Sequence, residues 1–402
     1  MREGWSYKRL GEVTSAINGL WTGKKPPFIN IAVVRNTNFT KDCELDMTDV
    51  AYIDVEQKQY TTRKLFPGDI IIEKSGGTEK QPVGRAVLFN IKDGEYSFSN
   101  FTAALRIIDN SKLLPTFLHK FLQAKYKQGV TRSMQAKTTG IHNLDFKAFN
   151  NLIVPLPEIS VQHSIVSELN KIVGLINIKK SQLNDIETLA QSVFYEMFGD
   201  PVENEKGLDI STLGTIAEFK NGINFNKGES GYSYKFLGVS DFQDNKTVNS
   251  DSLSDIHLTE NISKDYMLQT GDIVFVRSNG SKELVGRNIL VNINEPTTFS
   301  GFCIRCRLTN SEFNSIYLLY LLKAPSMRPI ITNSGRGCNI SNLNQKILSA
   351  LPIMHPSISL QESFATRISI FEQQKQQISS SINDLETLLA SRMQYWFNQD
   401  IT

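Results

Sequence analysis

The chain says nearly the same thing twice. Leu10-Gly11 and Asn18-Gly19 return as Leu213-Gly214 and Asn221-Gly222, 203 positions later, and Gly68-Asp69-Ile70 returns as Gly271-Asp272-Ile273 at the same offset. Val83-Gly84-Arg85 returns as Val285-Gly286-Arg287, and Phe98-Ser99 as Phe299-Ser300. Ile141 and Asn143-Leu144 return as Ile340 and Asn342-Leu343, and the offset then holds at 199 to the end. A drift of this kind is what a few loop deletions leave in a duplicated unit. Two copies are too few for a solenoid or a propeller. They suit a monomer with pseudo-two-fold symmetry, which is how one chain matches a two-part target.

The 402 residues accommodate two copies of a domain plus helical stretches, and the composition is that of a globular protein. No apolar run reaches membrane-spanning length, and Met1-Arg2-Glu3-Gly4-Trp5 has no signal-peptide core, so the sequence predicts a soluble cytoplasmic protein without a membrane partner. The net charge of +2 conceals an asymmetry. Residues 1–156 carry 22 Lys/Arg against 15 Asp/Glu, whereas residues 201–356 are neutral and residues 157–200 and 357–402 are acidic. If both copies bind nucleic acid, the second must do so through a local patch or with help from a basic partner.

Each copy divides into a mixed strand-and-turn part and a helical tail. Short β-branched runs after Gly68 and Gly271 read as strands, with second strands at Ala86–Phe89 and Asn288–Val291. Leu113–Tyr126 and Ile316–Lys323 carry apolar residues at helical spacing. The tails follow Pro155-Leu156-Pro157 and His355-Pro356. In the first, the seam runs Ile165, Leu169, Ile172, Ile176, Lys179, Leu183, Ile186, Ala190, Val193 and Met197. In the second it runs Phe364, Ile368, Phe371, Lys375, Ile378, Ile382, Leu385, Leu389, Arg392 and Trp396. Steps alternating 4 and 3 are the coiled-coil period. The spacing predicts two helices that hide each other's seams as an antiparallel pair, with Lys179 and Lys375 setting register; the alternative is that each tail folds back on its own globular copy. The expected boundaries are 1–156 and 201–356 for the globular domains, and 157–200 and 357–402 for the helices.

Catalytic patterns fail one by one. Lys25-Pro26-Pro27-Phe28 has a Lys where an adenine methyltransferase loop needs the acceptor oxygen of Asn. Gly19 and Gly23-Lys24 are too close for a phosphate-binding loop. Asp69 with Glu73-Lys74 lacks nuclease spacing, and the second copy has Val276 in place of Glu73. Cys303 and Cys306 have no second pair to complete a zinc site, and the five His are scattered. The chain reads as a non-enzyme that binds no metal.

What the copies share suits a nucleic-acid surface. Lys74, Ser75, Gly76, Gly77 and Thr78 align with Arg277, Ser278, Asn279, Gly280 and Ser281, a cation followed by small residues between two strands. Backbone N–H groups and a cation in such a hairpin tip can approach phosphates while other side chains enter a groove. Lys80 and Lys282 lie in the same loops, Arg85 and Arg287 follow as shared cations, and Lys137 and Arg336 lie in a second small-residue loop. These residues are the expected DNA-binding set.

Together these features resemble the specificity subunit of type I restriction-modification systems, along the whole chain. The resemblance is carried by Leu10-Gly11, Gly68-Asp69-Ile70, Pro155-Leu156-Pro157 and Phe198-Gly199, with a looser second copy that has Pro352, Pro356 and Phe397-Asn398. It implies an α+β fold with two tandem target-recognition domains separated by long helices paired as an antiparallel coiled coil. Each domain would read one half of a bipartite, gapped site in double-stranded DNA. The helices would space the domains and dock two methyltransferase subunits, and restriction/translocase subunits would join through the complex. S-adenosylmethionine, ATP and magnesium would belong to those partners. The alternatives are the DNA-recognition subunit of another phage-defence or fused nuclease-methyltransferase system, and a scaffold built on the coiled coil.

Overall fold

The computed structural model describes the chain except residues 1, 22, 24, 139–140, 225–230, 243–245, 282, 333–341 and 399–402, and the side chains of Lys137 and Thr138. Two compact units are present: Met1–Lys180 with Ser380–Thr402, and Ser181–Ser379.

In the first unit, Ile70–Glu73 forms the middle of an antiparallel sheet ordered Thr14–Asn18, Thr102–Ile107, Ile70–Glu73, Ala86–Leu88. A strand buried on both faces needs an unbroken apolar run, and Ile70, Ile71 and Ile72 are wholly buried. Ile71, Val87 and Ala104 face Val34 and Phe98 from a second sheet, ordered Ala51–Glu56, Phe28–Val34, Tyr96–Phe98. The helix Pro115–Lys127 buries Phe117, Leu118, Phe121 and Leu122.

The second unit repeats this plan. Ala217–Asn221, Cys303–Leu308, Ile273–Val276 and Asn288–Asn292 form the sheet, extended by Thr247–Asn249. Alternate residues serve two cores: Ile273, Phe275, Ile304 and Cys306 one, Val274, Val276, Ile289 and Cys303 the other. Residues three apart in a strand point to opposite faces, so Cys303 and Cys306 are packing residues of different cores. Burial pushes the Cys303 thiol up to about 12.

The Gly-Asp-Ile motif has the same structural job in both units. Gly68 and Gly271 take φ of +98° and +95°, which glycine adopts without strain. The buried aspartate then accepts a backbone N–H (Phe66 at 2.8 Å; Gln269 at 2.7 Å) and clamps an arginine of the adjacent strand through two bonds. Arg106 Nε and Nη2 donate to Asp69 at 2.8 and 2.7 Å; Arg307 donates to Asp272 at 2.7 and 2.8 Å. Bidentate, charge-assisted bonds of this sort fix strand geometry.

The long helices are Ile159–Phe198 and Ile358–Phe397. Each carries a wholly buried glutamine as its fourth residue. Gln162 donates to the carbonyls of Lys112 and Pro157 (2.8 and 2.9 Å) and accepts from Leu114 N (2.8 Å). Gln361 does the same with Glu312, Pro356 and Asn314 N (3.0, 2.9 and 2.9 Å). The two units divide both helices near their middles, so each unit contains the start of one helix and the end of the other.

Within each unit these segments run antiparallel. In the first, Lys180 pairs with Glu386 at 3.2 Å and Glu168 pairs with Arg392 and accepts from Trp396 Nε1 at 3.1 Å. In the second, Lys375 meets Glu187 at 3.2 Å while Phe194 meets Phe364 with ring centroids 5.6 Å apart. The expected seam is buried at Ile165, Leu169, Ile172, Ile176, Phe364, Ile368, Ile382 and Leu389, and half-buried at Leu183, Ile186, Phe371, Ile378 and Leu385. Beyond the seam, the far end of each helix plugs a globular core. Phe397 lies edge-on to Phe117 and Phe121 (5.4 and 5.9 Å), and Phe198 lies 4.7 Å from Tyr317 and 5.4 Å from Phe364.

Candidate nucleic-acid interface

In each copy the cation loop meets a segment distant from it in sequence, Asn143-Leu144 in the first and Asn342-Leu343 in the second. In the first unit Ser75–Gly77 is a strand, hydrogen-bonded to Ile141–Leu144, which in turn pairs with Gln135–Thr138. The loop expected to be a hairpin tip is therefore partly sheet; pairing with a neighbour outweighs the poor strand propensity of Ser-Gly-Gly. Leu144 N donates to Lys74 O at 2.8 Å, and Ser75 Oγ donates to Asn143 Oδ1 at 2.6 Å. The second unit keeps the same junction: Leu343 N donates to Arg277 O at 2.8 Å, and Ser278 bridges Asn342.

A third segment completes the surface. Ser99–Thr102 and Ser300–Cys303 are tight turns closed by Thr102 N donating to Ser99 O (3.0 Å) and Cys303 N donating to Ser300 O (2.8 Å). Their Phe101 and Phe302 carbonyls each accept two N–H groups from the cation loop. The donors are Lys74 and Ser75 at 3.0 and 3.1 Å, and Arg277 and Ser278 at 2.8 and 3.4 Å. From the other side the Asn-Gly motif presses against the turn. A Cβ on Gly19 would lie 1.9 Å from Ser99 O, and one on Gly222 2.2 Å from Ser300 O, so only glycine fits.

The expected binding residues differ in exposure. Thr78, Lys80 and Ser281 are exposed, and Ser75, Ser278 and Asn279 half-exposed. Gly76 (φ +96°) is exposed, whereas Gly77 is buried within its strand. Asn279 Oδ1 accepts from Ser281 N at 2.8 Å, shaping the second loop. Lys74 and Arg277 are half-buried braces: Lys74 Nζ donates to Asn18 Oδ1 at 2.8 Å, and Arg277 Nη1 to Gly301 O at 3.5 Å. Burial lowers the Lys74 pKa.

Arg85 requires a correction. It is 4% exposed, bound to both carboxylate oxygens of Glu73 (2.8 and 3.0 Å) and to the carbonyls of Phe39 and Asn36 (2.6 and 3.2 Å). A guanidinium so enclosed is a core strut and cannot reach phosphate. Glu73 and Asp69 are likewise engaged by arginines, which accounts for the nuclease-like string. Arg287, whose counterpart of Glu73 is Val276, is half-buried and lines a cavity of about 400 Å³ with Lys246, Lys323 and Arg328. Burial and the neighbouring cations, Lys246 first, bring the Lys323 pKa down to about 8. Arg336, Lys282 and the Lys137 side chain lie outside the described residues.

Sequence reasoning missed Phe101 and Phe302. Both are exposed (42% and 58%) and stand at matched places, 201 positions apart. The signal was there in the repeat itself, an aromatic after Ser-Asn and Ser-Gly. Among the described residues no group of three or more His, Cys, Asp or Glu could hold a metal, and no helix is long and apolar enough to cross a membrane.

Comparison with known proteins adds the family. The type I restriction modification DNA specificity domain matches residues 2–188 and again 205–387. The chain is 24% identical to the StySPI type I restriction enzyme specificity subunit of Salmonella potsdam, over 98% of this chain and 87% of that protein. It is 23% identical to the EcoKI specificity subunit of Escherichia coli K12, over 91% and 82%. In fold it is similar to a solved chain described for complex assembly and conformational transition of the type I R-M system. That match has a TM-score of 0.62 and 16% identity, over 100% of this chain and 99% of that one. It is also similar to the type I S subunit of M. genitalium, with a TM-score of 0.51 and 15% identity over 99% and 97%. The chain belongs to the type I restriction-modification DNA specificity family, and its role is recognition rather than catalysis.

Proposed function

We propose that this specificity subunit reads a bipartite, gapped and asymmetric site in double-stranded DNA. Residues 1–156 act as one target-recognition domain and residues 201–356 as the other, while the helical stretches 157–200 and 357–402 act as spacers. Two methyltransferase subunits dock on the helices, and restriction/translocase subunits join through that complex in the cytoplasm. The partners carry S-adenosylmethionine, ATP and magnesium, and this chain supplies only the address.

The observation that carries the reading is the duplicated junction of three segments. In each unit a cation loop, an Asn-Leu segment (Asn143-Leu144; Asn342-Leu343) and a tight turn are tied by matched backbone bonds (Leu144 N to Lys74 O; Leu343 N to Arg277 O). A frame held this firmly can present different side chains at the same place, as two different half-sites require. Of the expected residues, Lys74, Ser75, Gly76, Gly77, Thr78, Lys80 and Lys137, and Arg277, Ser278, Asn279, Ser281, Lys282, Arg287 and Arg336, stay in the proposed contact set; Arg85 leaves it.

The test is to express the chain with its methyltransferase subunit and map methylated adenines across the genome. Exchanging Lys74–Lys80 or Arg277–Glu283 for the loop of another specificity subunit should change one half of the motif and leave the other. A motif that stays whole after both exchanges would remove these loops from recognition.

A further inference from the structure

We propose that Phe101 and Phe302 are wedges that enter a base step of the DNA, one in each half-site. This rests on the recognition function proposed above and goes beyond it by assigning a mechanical role to two residues outside the cation loops.

Four observations converge. A phenylalanine left 42% or 58% exposed forgoes much of the ~1.5–3 kcal/mol its full burial would give. A single case is ordinary, but the exposure recurs at the matched position of the second copy. Each ring sits on a turn fixed from both sides. The cation loop donates two N–H groups to the Phe carbonyl, and the turn's Ser99 or Ser300 carbonyl rests against Gly19 or Gly222 so closely that no Cβ fits. Such bracing holds the backbone of each Phe in place at the surface. Finally, the segments that hold these turns carry a cation at the same place: Lys74 N and Arg277 N donate to the Phe101 and Phe302 carbonyls, and Arg277 Nη1 reaches Gly301 O at 3.5 Å.

That pairing matches DNA better than a protein surface. Unstacking a base step costs a few kcal/mol, so a wedge must be rigid, or the strain is relieved by moving the side chain instead. The base faces then stack on the ring, and the adjacent cation meets the phosphate that the opened step brings closer. An adaptable protein contact would need none of this bracing. The cost of opening depends on the step, so each wedge adds sequence preference without a hydrogen bond to any base edge.

The complex of this chain with its methyltransferase subunit is bound to a duplex bearing the mapped motif, and to a scrambled duplex. Permanganate then reports unstacked thymines away from the methylated adenine pairs. Phe101→Ala should abolish reactivity in one half-site only and Phe302→Ala in the other. Each should weaken binding to the motif about 10- to 100-fold and leave binding to the scrambled duplex and the salt slope unchanged. Phe101→Trp and Phe302→Trp, which keep a flat ring, should restore both signals. Reactivity and affinity unchanged in the Ala variants would overturn the wedge while leaving recognition intact. So would loss of methyltransferase on purification with unchanged affinity per assembled complex, which would put the rings against protein. An unaltered complex that fails to prefer its motif over the scrambled duplex would overturn the recognition function itself.

Discussion

The two units have the same frame and different interiors beside it. Both clamp an arginine with the aspartate of Gly-Asp-Ile, both bury a glutamine as the fourth residue of a long helix, and both seat a phenylalanine turn against a glycine. One strand away they part. The first unit buries Arg85 against Glu73; the second has Val276 there, and Arg287 lines a cavity with three other cations. The helix Pro115–Lys127 sends Lys120 toward Glu44 at 3.6 Å, whereas Tyr320 of the second unit lies under the Lys246 ammonium, 4.2 Å from the ring centroid. What duplication preserved here is the frame, while Arg85 and Arg287, which look shared in sequence, have diverged in role.

The largest effect should come from the plugs. Phe397→Ala should loosen the first unit and Phe198→Ala the second, each by about 3–5 kcal/mol, because a large cavity opens in a packed core. Hydrogen exchange resolved by peptide would show it, with Phe117 and Phe121 deprotected in one variant and the Tyr317 region in the other. Equal deprotection of both regions by either variant would break the assignment of one plug to one core.

Next is the ion pair that distinguishes the units. Glu73→Val gives the first unit the residue of the second and strands a buried guanidinium, at a cost of about 3 kcal/mol. Glu73→Val with Arg85→Leu should recover most of it. If the single change is silent, Arg85 has another partner as good as Glu73.

The smallest effect concerns Lys323. Its pKa in the fold, about 8, lies below the ordinary value, so the unfolded chain binds the extra proton more tightly. This penalty is fully present below about pH 8, and stability rises as pH passes from about 8 toward the unfolded value. Lys323→Met should stabilise the second unit at pH 7 by on the order of 1 kcal/mol, screening included, and flatten that rise. A variant with the same pH dependence as the parent would mean that the cavity holds the ammonium charged without penalty.

Much of the fold could be read from the sequence because it is periodic or repeated. The helical seams follow from 4-and-3 spacing, and the central strands from β-branched runs after glycine. The pairs Asp69–Arg106 and Asp272–Arg307 escaped notice, since a cross-strand partner leaves no local pattern. Gln162 and Gln361 lie 199 positions apart, yet a glutamine at a helix start looks like solvent-facing surface. Ser75–Gly77 read as a loop because its strand is made by its neighbour. Arg85 misleads for the opposite reason: recurrence suggests shared function, and burial is invisible in a string of letters.

The division of the helices also sets an order of events on the ribosome. The second unit is one continuous stretch, Ser181–Ser379, and all its parts have been made once that stretch emerges. The first unit has most of its chain from the outset but waits for Phe397 to close its core. At roughly 5–20 residues per second, the ~200 residues between Phe198 and Phe397 take about 10–40 s to synthesise. During that time Phe117 and Phe121 lack their plug, and the earlier-made domain is the later to be finished.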